Sequence, residues 1–294
     1  MKRIEWKSAV LGYVLSAVGT VSVVVGQQPQ NNLSEPVHRV AKNEVLRTPE
    51  TAAHPLDPAI EMATKTLEQI RASIHDYTAV LVKREQINGE LTDYEYMFAK
   101  VRNRKVEDNQ LKVPFSVYLA FLKPSAVKGR EVLFIENQND GKLLAHEGGF
   151  KRALGTHTLE PTGFLAMNGQ RYPLTDIGLE NLVIKLIERG ERDRKNGLCE
   201  VEFLPGAKVD KRLCTVLQVK HPDQKPCYDF HLAQVFIDDE YKIPVRYIAY
   251  GWPQNGGTNM EVIEEYTYQN LKINVGLSDA DFDVANNAYS FHKR

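Results

Sequence analysis

The residues with chemistry to offer are few, and their spacing argues against most catalytic uses. His146-Glu147 opens like a zinc-protease motif, but the position four after His146 is Phe150. The second imidazole that would share a helical turn is missing, and Gly148-Gly149 disfavour a helix there. Asp279-x-Asp281-x-Asp283 begins like a calcium loop. Val284, however, stands where the sharp turn needs glycine, and Ser290 where a bidentate glutamate belongs. The chain has no G-x-S-x-G elbow, phosphate-binding glycine loop or dinucleotide fingerprint. No catalytic residue, cofactor or metal is expected from these patterns.

The three cysteines, Cys199, Cys214 and Cys227, show no C-x-x-C or His partner at ligand spacing. In an oxidising compartment one pair would bridge. Cys214–Cys227 is the expected disulfide, because the two flank the Lys220–Pro226 turn on neighbouring strands. Lys and Arg number 37 against 38 Asp and Glu, and no basic stripe stands out. That disfavours nucleic acid, which needs clustered cations to neutralise phosphates. The mixed-sign run Glu188–Lys195 reads as a solvated helix end.

The elements that would position such residues begin late in the chain. Lys2, Arg3 and Lys7 precede an apolar stretch, Ala9 to Val25, that is seventeen residues long. That falls short of the ~20 of a spanning helix. With the small residue Gly26 at its exit, residues 1–26 read as a secretory signal peptide. Left uncleaved, this segment would be the one membrane contact. No Cys follows it to carry a lipid anchor. Residues 27–55 are polar, contain proline and the sequon Asn32-Leu33-Ser34, and are expected to be a disordered tether. Residues 56–294 suit a single domain.

Within that domain Asp57-Pro58 is expected to open a helix, with Asp57 as N-cap and an apolar stripe of Ile60, Ala63, Leu67, Ile70 and Ile74. Strands follow at Tyr77–Gln86 and Thr92–Val101 around the Asn88-Gly89 turn. Further strands are read at Phe115–Leu122, and at Glu131–Glu136 and Lys142–His146 around Asn139-Asp140-Gly141. The stretch 148–197 breaks the pattern and reads as a loop-plus-helix insertion, its helix capped by Asp176. Sheet returns at Leu198–Leu204, Leu213–Lys220 and Met260–Ile273. Between the last two, Tyr228–Tyr250 forms a hairpin turning at Asp238-Asp239, with Pro244 opening its second strand. Apolar groups lie on both faces of that hairpin, so it should be covered on both sides. The fold class is α+β: a strongly curved antiparallel sheet wrapped around an N-terminal helix and an inserted lid helix.

Several runs resemble known families. Phe236-Ile237-Asp238, Ile243-Pro244-Val245-Arg246, Glu265-Tyr266-Thr267-Tyr268-Gln269-Asn270-Leu271-Lys272-Ile273-Asn274 and Leu277-Ser278-Asp279-Ala280-Asp281-Phe282 resemble the C-terminal half of LolA/LolB-like periplasmic lipoprotein carriers. Phe115-Ser116-Val117-Tyr118, Gly129-Arg130-Glu131-Val132, Asn139-Asp140-Gly141-Lys142, Ala145-His146-Glu147-Gly148-Gly149 and Arg171-Tyr172-Pro173 are similar to an exported family of planctomycete-type bacteria, "domain of unknown function 1571". The resemblance implies an incomplete β-barrel around helices, with an apolar cavity that shelters acyl chains. It implies a protein of the periplasm or cell envelope of a diderm bacterium. The insertion at 148–197 is larger than that fold usually carries.

The resulting expectation is a non-enzymatic carrier or binding protein. Its partner would be a lipid or other acyl-bearing, apolar ligand, with an envelope protein as a second candidate. Phe115, Val117, Leu119, Phe121, Val132 and Phe134 are expected to line the cavity, because the opposite faces of the same strands (Tyr118, Ala120, Leu122, Leu133, Ile135) are also apolar and one layer must face something other than water. Arg130, His146 and Arg171, which lie in the family-like runs, are expected to converge as a polar site. Two rival readings stand beside this one: an envelope hydrolase with His146 as base, and a protein-recognition scaffold using exposed strand edges.

Overall fold

The computed structural model describes residues 53–254 and 257–291, with 33, 34, 36, 38–39 and 46–47. The expected signal peptide and about two thirds of the expected tether, including Asn32, lie outside the described residues. Within the rest of the tether, expected to be disordered, His38–Arg39 and Leu46–Arg47 pair with the sheet as short strands. Two short strands, β1 (His38–Arg39) and β2 (Leu46–Arg47), precede helix α1 (Asp57–Ser73). Then come β3 (Asp76–Ile87), β4 (Glu90–Leu91), β5 (Glu95–Arg102), β6 (Lys105–Glu107), β7 (Gln110–Val113) and β8 (Ser116–Lys123). The first half ends with β9 (Glu131–Ile135), β10 (Leu143–His146) and β11 (Thr156–Leu159). A short helix α2 (Phe164–Met167) and a long one, α3 (Leu179–Asn196), lead into β12 (Glu200–Val209) and β13 (Arg212–Lys220). The chain closes with β14 (Leu232–Asp238), β15 (Pro244–Tyr250) and β16 (Val262–Ile273).

All strands but the β6-β7 hairpin join one antiparallel sheet, in the order β1-β12-β13-β14-β15-β16-β3-β5-β8-β9-β10-β11. β2 also pairs with β12, and β4 with β3. Its two ends do not meet, so the barrel is incomplete. The curvature follows from the core. Val209 and Cys214 belong to the same packed cluster as Val117 and Leu119, and to the helix residues Ile70, Leu179 and Val183. β13 and β8 stand six places apart in the sheet, roughly 29 Å if it were flat. Only a sheet wrapped around α1 and α3 brings them to one core. The class is α+β, as the strand and helix order implies.

Local chemistry explains how the helices sit. Gly190 lets α3 approach α1, since a Cβ there would lie 3.2 Å from Ile60 Cγ1. The α3 N-terminus is held by the sheet: Leu179 N–H donates to Tyr77 Oη at 2.9 Å. Gly178 precedes it with φ +113°, a conformation that favours glycine, and a Cβ would meet the same hydroxyl. Asp176 is therefore not the cap; it ends a 3-10 turn, Leu174–Asp176. Nor does Asp57 cap α1. It is the first helical residue, and its carboxylate accepts from His54 N–H at 2.8 Å and pairs with Arg194.

The hairpin of β14 and β15 is buried on both faces, as its composition requires. Asp238 makes its turn by accepting from Glu240 N–H and Tyr241 N–H, and Arg212 closes over the same carboxylate. The outer face of β8 and β9 is covered by the chain itself. Phe282, Tyr289 and Phe291 pack on Tyr118, Ala120, Leu133 and Ile135, with the Tyr118 and Tyr289 rings stacked 4.0 Å apart. The expected disulfide does not form: all three cysteines are free thiols. Cys214 lies opposite Asp238 at the start of β13, whereas Cys227 follows its far end. The six intervening strand residues span roughly 20 Å, far beyond a bridge.

Candidate functional site

The inner face of the sheet is set by strand alternation. Leu81, Lys83 and Glu85 on β3, Leu119 and Phe121 on β8, and Glu264, Tyr266 and Tyr268 on β16 each recur at a spacing of two. All point into one cavity of about 590 Å³. Helix α3 roofs it with Leu182, Lys185, Leu186 and Arg189, which share a face by their three- and four-residue spacing. The insertion supplies another wall: Leu154, Leu159, Leu165, Tyr172 and Leu174. The volume falls within the range of small-molecule sites.

The cavity changes character along its length. Met97, Leu119, Phe121, Val132 and Leu143 make one side apolar. Arg189 lies seven residues, about 10.5 Å of helix axis, beyond Leu182. There the lining becomes a buried ionic cluster. Glu85 and Glu264 face each other on adjacent strands. Tyr266 donates its hydroxyl to Glu85 Oε1 at 2.5 Å and lies 3.4 Å from Glu264 Oε2. Lys83 Nζ reaches Glu85 at 3.0 Å and donates to Gln170 at 2.6 Å. Arg171 and Arg189 each approach Glu264 at 3.2 Å. Arg189 also donates to Tyr247 Oη at 2.6 Å and Tyr172 Oη at 3.0 Å.

Burial, and then the Glu264 and Glu85 charges, push the Tyr266 hydroxyl far above its ordinary range. Burial and Glu264 push Tyr247 well above its ordinary range and also raise Tyr172. All three are thus neutral hydroxyls. Burial works against the Arg189 charge, but Tyr247, Glu264 and Tyr172 outweigh it and hold the guanidinium more firmly protonated than usual. The cluster can therefore offer fixed hydrogen-bonding groups beside an apolar slot. Among the described residues lining the cavity there is no Ser, Thr or Cys to act as a nucleophile.

The residues expected from sequence divide in two. Leu119, Phe121 and Val132 line the cavity. Phe115, Val117 and Phe134 do not. Val117 is locked in the central core, and Phe115 and Phe134 pack together, 6.4 Å between rings, beside Leu174. Strand alternation put them on the correct face, but they lie past the end of the void.

Arg130, His146 and Arg171 do not converge. Arg130 lines the cavity and pairs with Glu147 at 3.1 Å. Arg171 sits with Glu264 and donates its backbone N–H to Glu85 at 3.0 Å. His146 points the other way, because Ala145 and Glu147 take the inner positions of its strand. Its Nδ1 meets Thr156 Oγ1 at 3.0 Å, and that hydroxyl donates to Phe291 O. Lys83, Glu85, Tyr172, Arg189, Glu264 and Tyr266 were not anticipated. The available signal was charge at alternate positions of strands otherwise destined for the core.

Comparison with known proteins places the chain. No curated protein matches it. Among solved structures it is similar in chain course to a DUF1329 family protein from Desulfovibrio piger, at 14% identity and TM-score 0.36, covering 79% of this chain and 98% of that one. A putative outer membrane lipoprotein-sorting protein domain from Vibrio parahaemolyticus aligns at 15% identity and TM-score 0.36, covering 76% and 95%. For a LolA superfamily protein from Nitrosomonas europaea the values are 11% identity, TM-score 0.30, and 75% and 97%. The family model for "Protein of unknown function (DUF1571)" matches residues 74–291, well over half the sequence. The chain therefore belongs to the DUF1571 family.

Proposed function

We propose that this protein is an exported, non-enzymatic carrier or binding protein for an acyl-bearing amphiphile in the cell envelope. The observation that carries the reading is the cavity of about 590 Å³, apolar along the β5-β8-β9 side and ending on the Glu85–Glu264 cluster. An acyl chain would lie along Met97, Leu119, Phe121 and Val132, gaining ~0.8 kcal/mol for each methylene taken from water. Its polar end would rest against Tyr172, Tyr266 and Arg189. Segment 148–197 would act as the lid, since it contributes both the α3 roof and the Leu154–Leu174 wall. Residues 1–26 would direct export and be removed, residues 27–55 would tether, and 56–294 would form the single binding domain.

Titration of delipidated protein with a fluorescent fatty acid tests this. Wild type should bind in the micromolar range or tighter. Phe121→Asp, which sets a charge in the apolar side, should abolish binding. Val132→Trp, which fills the slot without adding charge, should weaken it even if the aspartate variant fails to fold. Unchanged binding in a folded Val132→Trp protein would reject the cavity as the site.

A further inference from the structure

We propose that the mouth of this cavity is a docking surface for an anionic lipid bilayer. Four large apolar side chains stand in solvent on one short stretch: Phe150 is 92% exposed, Phe164 84%, Leu165 70% and Leu154 63%. Elsewhere the large side chains of this sheet and its helices are mostly buried, so such a concentration marks a surface meant to be covered. Leu154 and Leu165 also line the cavity. The exposed apolar rim therefore continues without a break into the slot.

Charge selects the partner. Lys151 and Arg152 sit between Phe150 and Leu154, both exposed and neither in an ion pair among the described residues. From Gly148 to Leu159 there is no Asp or Glu. The acidic residues that bound this stretch are already paired, Glu147 with Arg130 and Glu160 with Lys142. Aromatic and leucine side chains flanked by free cations suit an interface of acyl chains below and anionic headgroups above. A protein partner would need its own acidic and apolar complement. A bilayer offers both everywhere, and it is the phase in which an acyl-bearing guest resides. The purpose of the docking rests on the carrier reading above, whereas its physical basis does not.

Co-sedimentation of the purified protein with phosphatidylcholine vesicles, with and without phosphatidylglycerol, provides the test. Wild type should bind the anionic vesicles and lose about fivefold in affinity with Arg152→Gln. Phe150→Ser/Phe164→Ser should lose at least about tenfold. Neither change touches the cavity lining, so vesicle-free fatty-acid binding should be unaltered. The proposal fails if the double serine variant sediments like wild type, or if wild type ignores both vesicle types. It fails equally if that variant turns a dimer into a monomer with no effect on vesicles, because the rim would then belong to a second copy. Loss of fatty-acid binding in wild type, with vesicle docking retained, would sink the carrier reading alone and leave the docking surface standing.

Discussion

Glu85 and Glu264 stand directly opposite one another on neighbouring antiparallel strands, 3% and 2% exposed, with the Tyr266 hydroxyl between their carboxylates. Two like charges so placed repel unless cations and donors surround them. Lys83, Arg171 and Arg189 supply that surround. Removing one member should cost more than a surface ion pair would. Glu264→Gln strands two guanidiniums, though Arg189 retains Asp229 and Arg171 is a third exposed. A loss of about 2–3 kcal/mol is expected in urea unfolding. Tyr266→Phe alone should cost about 1–2 kcal/mol. The double variant should lose less than the sum, since the pair acts as a unit.

Acid should weaken the fold through two carboxylates remote from the cavity. Burial opposes ionisation of Asp238, but Arg212 and the backbone N–H groups of Tyr241 and Glu240 outweigh it and hold the carboxyl below its ordinary 3.8. Asp281 is likewise held down, against burial, by Lys100 and by Ser278. A group depressed in the folded state lends stability above its unfolded value, and that stability is lost as pH falls through the folded one. Urea midpoints should therefore drop below about pH 4. Asp238→Asn/Asp281→Asn should start lower and show a shallower acid limb.

His146 should prove irrelevant to binding and important to the C-terminal segment. Its ring is buried against Phe291, and burial holds its protonation below the ordinary range. His146→Ala should leave fatty-acid affinity unchanged while costing about 1–2 kcal/mol. Faster proteolytic loss of the segment that carries Tyr289 and Phe291 is the direct readout.

The thiols give a simple check on the strand arrangement. Burial pushes both Cys199 and Cys214 up to about 12, so neither is reactive near neutrality, while Cys227 is half-buried. A thiol reagent should modify one cysteine quickly and the other two only on unfolding. A mass two hydrogen atoms light, from a Cys214–Cys227 bridge, would contradict the strand placement.

Much of the fold was legible because the sheet's signals are local. Asn88-Gly89 and Asp238-Asp239 made their hairpins, and the continuous apolar runs of β8 and β15 declared strands covered on both faces. Among the features that were not legible, three bear most on the cavity and its cover. β11 lies in the 148–197 stretch and is four residues of THTL with no period of its own; pairing with β10 makes it a strand. The cover on the outer face comes from Phe282, Tyr289 and Phe291, whose docking is tertiary. The cavity's ionic end depends on β3 meeting β16 across nearly the whole chain, which puts Glu85 beside Glu264. Alternation gave the face on which Phe115 and Phe134 lie, but not where along that face the helices leave a gap.

The central claim is that the sheet and its two helices leave a slot that an acyl-bearing guest completes. Native mass spectrometry of the protein purified from its own cells reads this directly. The expected spectrum holds discrete adducts of lipid mass that vanish on denaturation and are absent from Val132→Trp. A spectrum of bare chain alone, from protein that also takes up no fluorescent fatty acid, would contradict it.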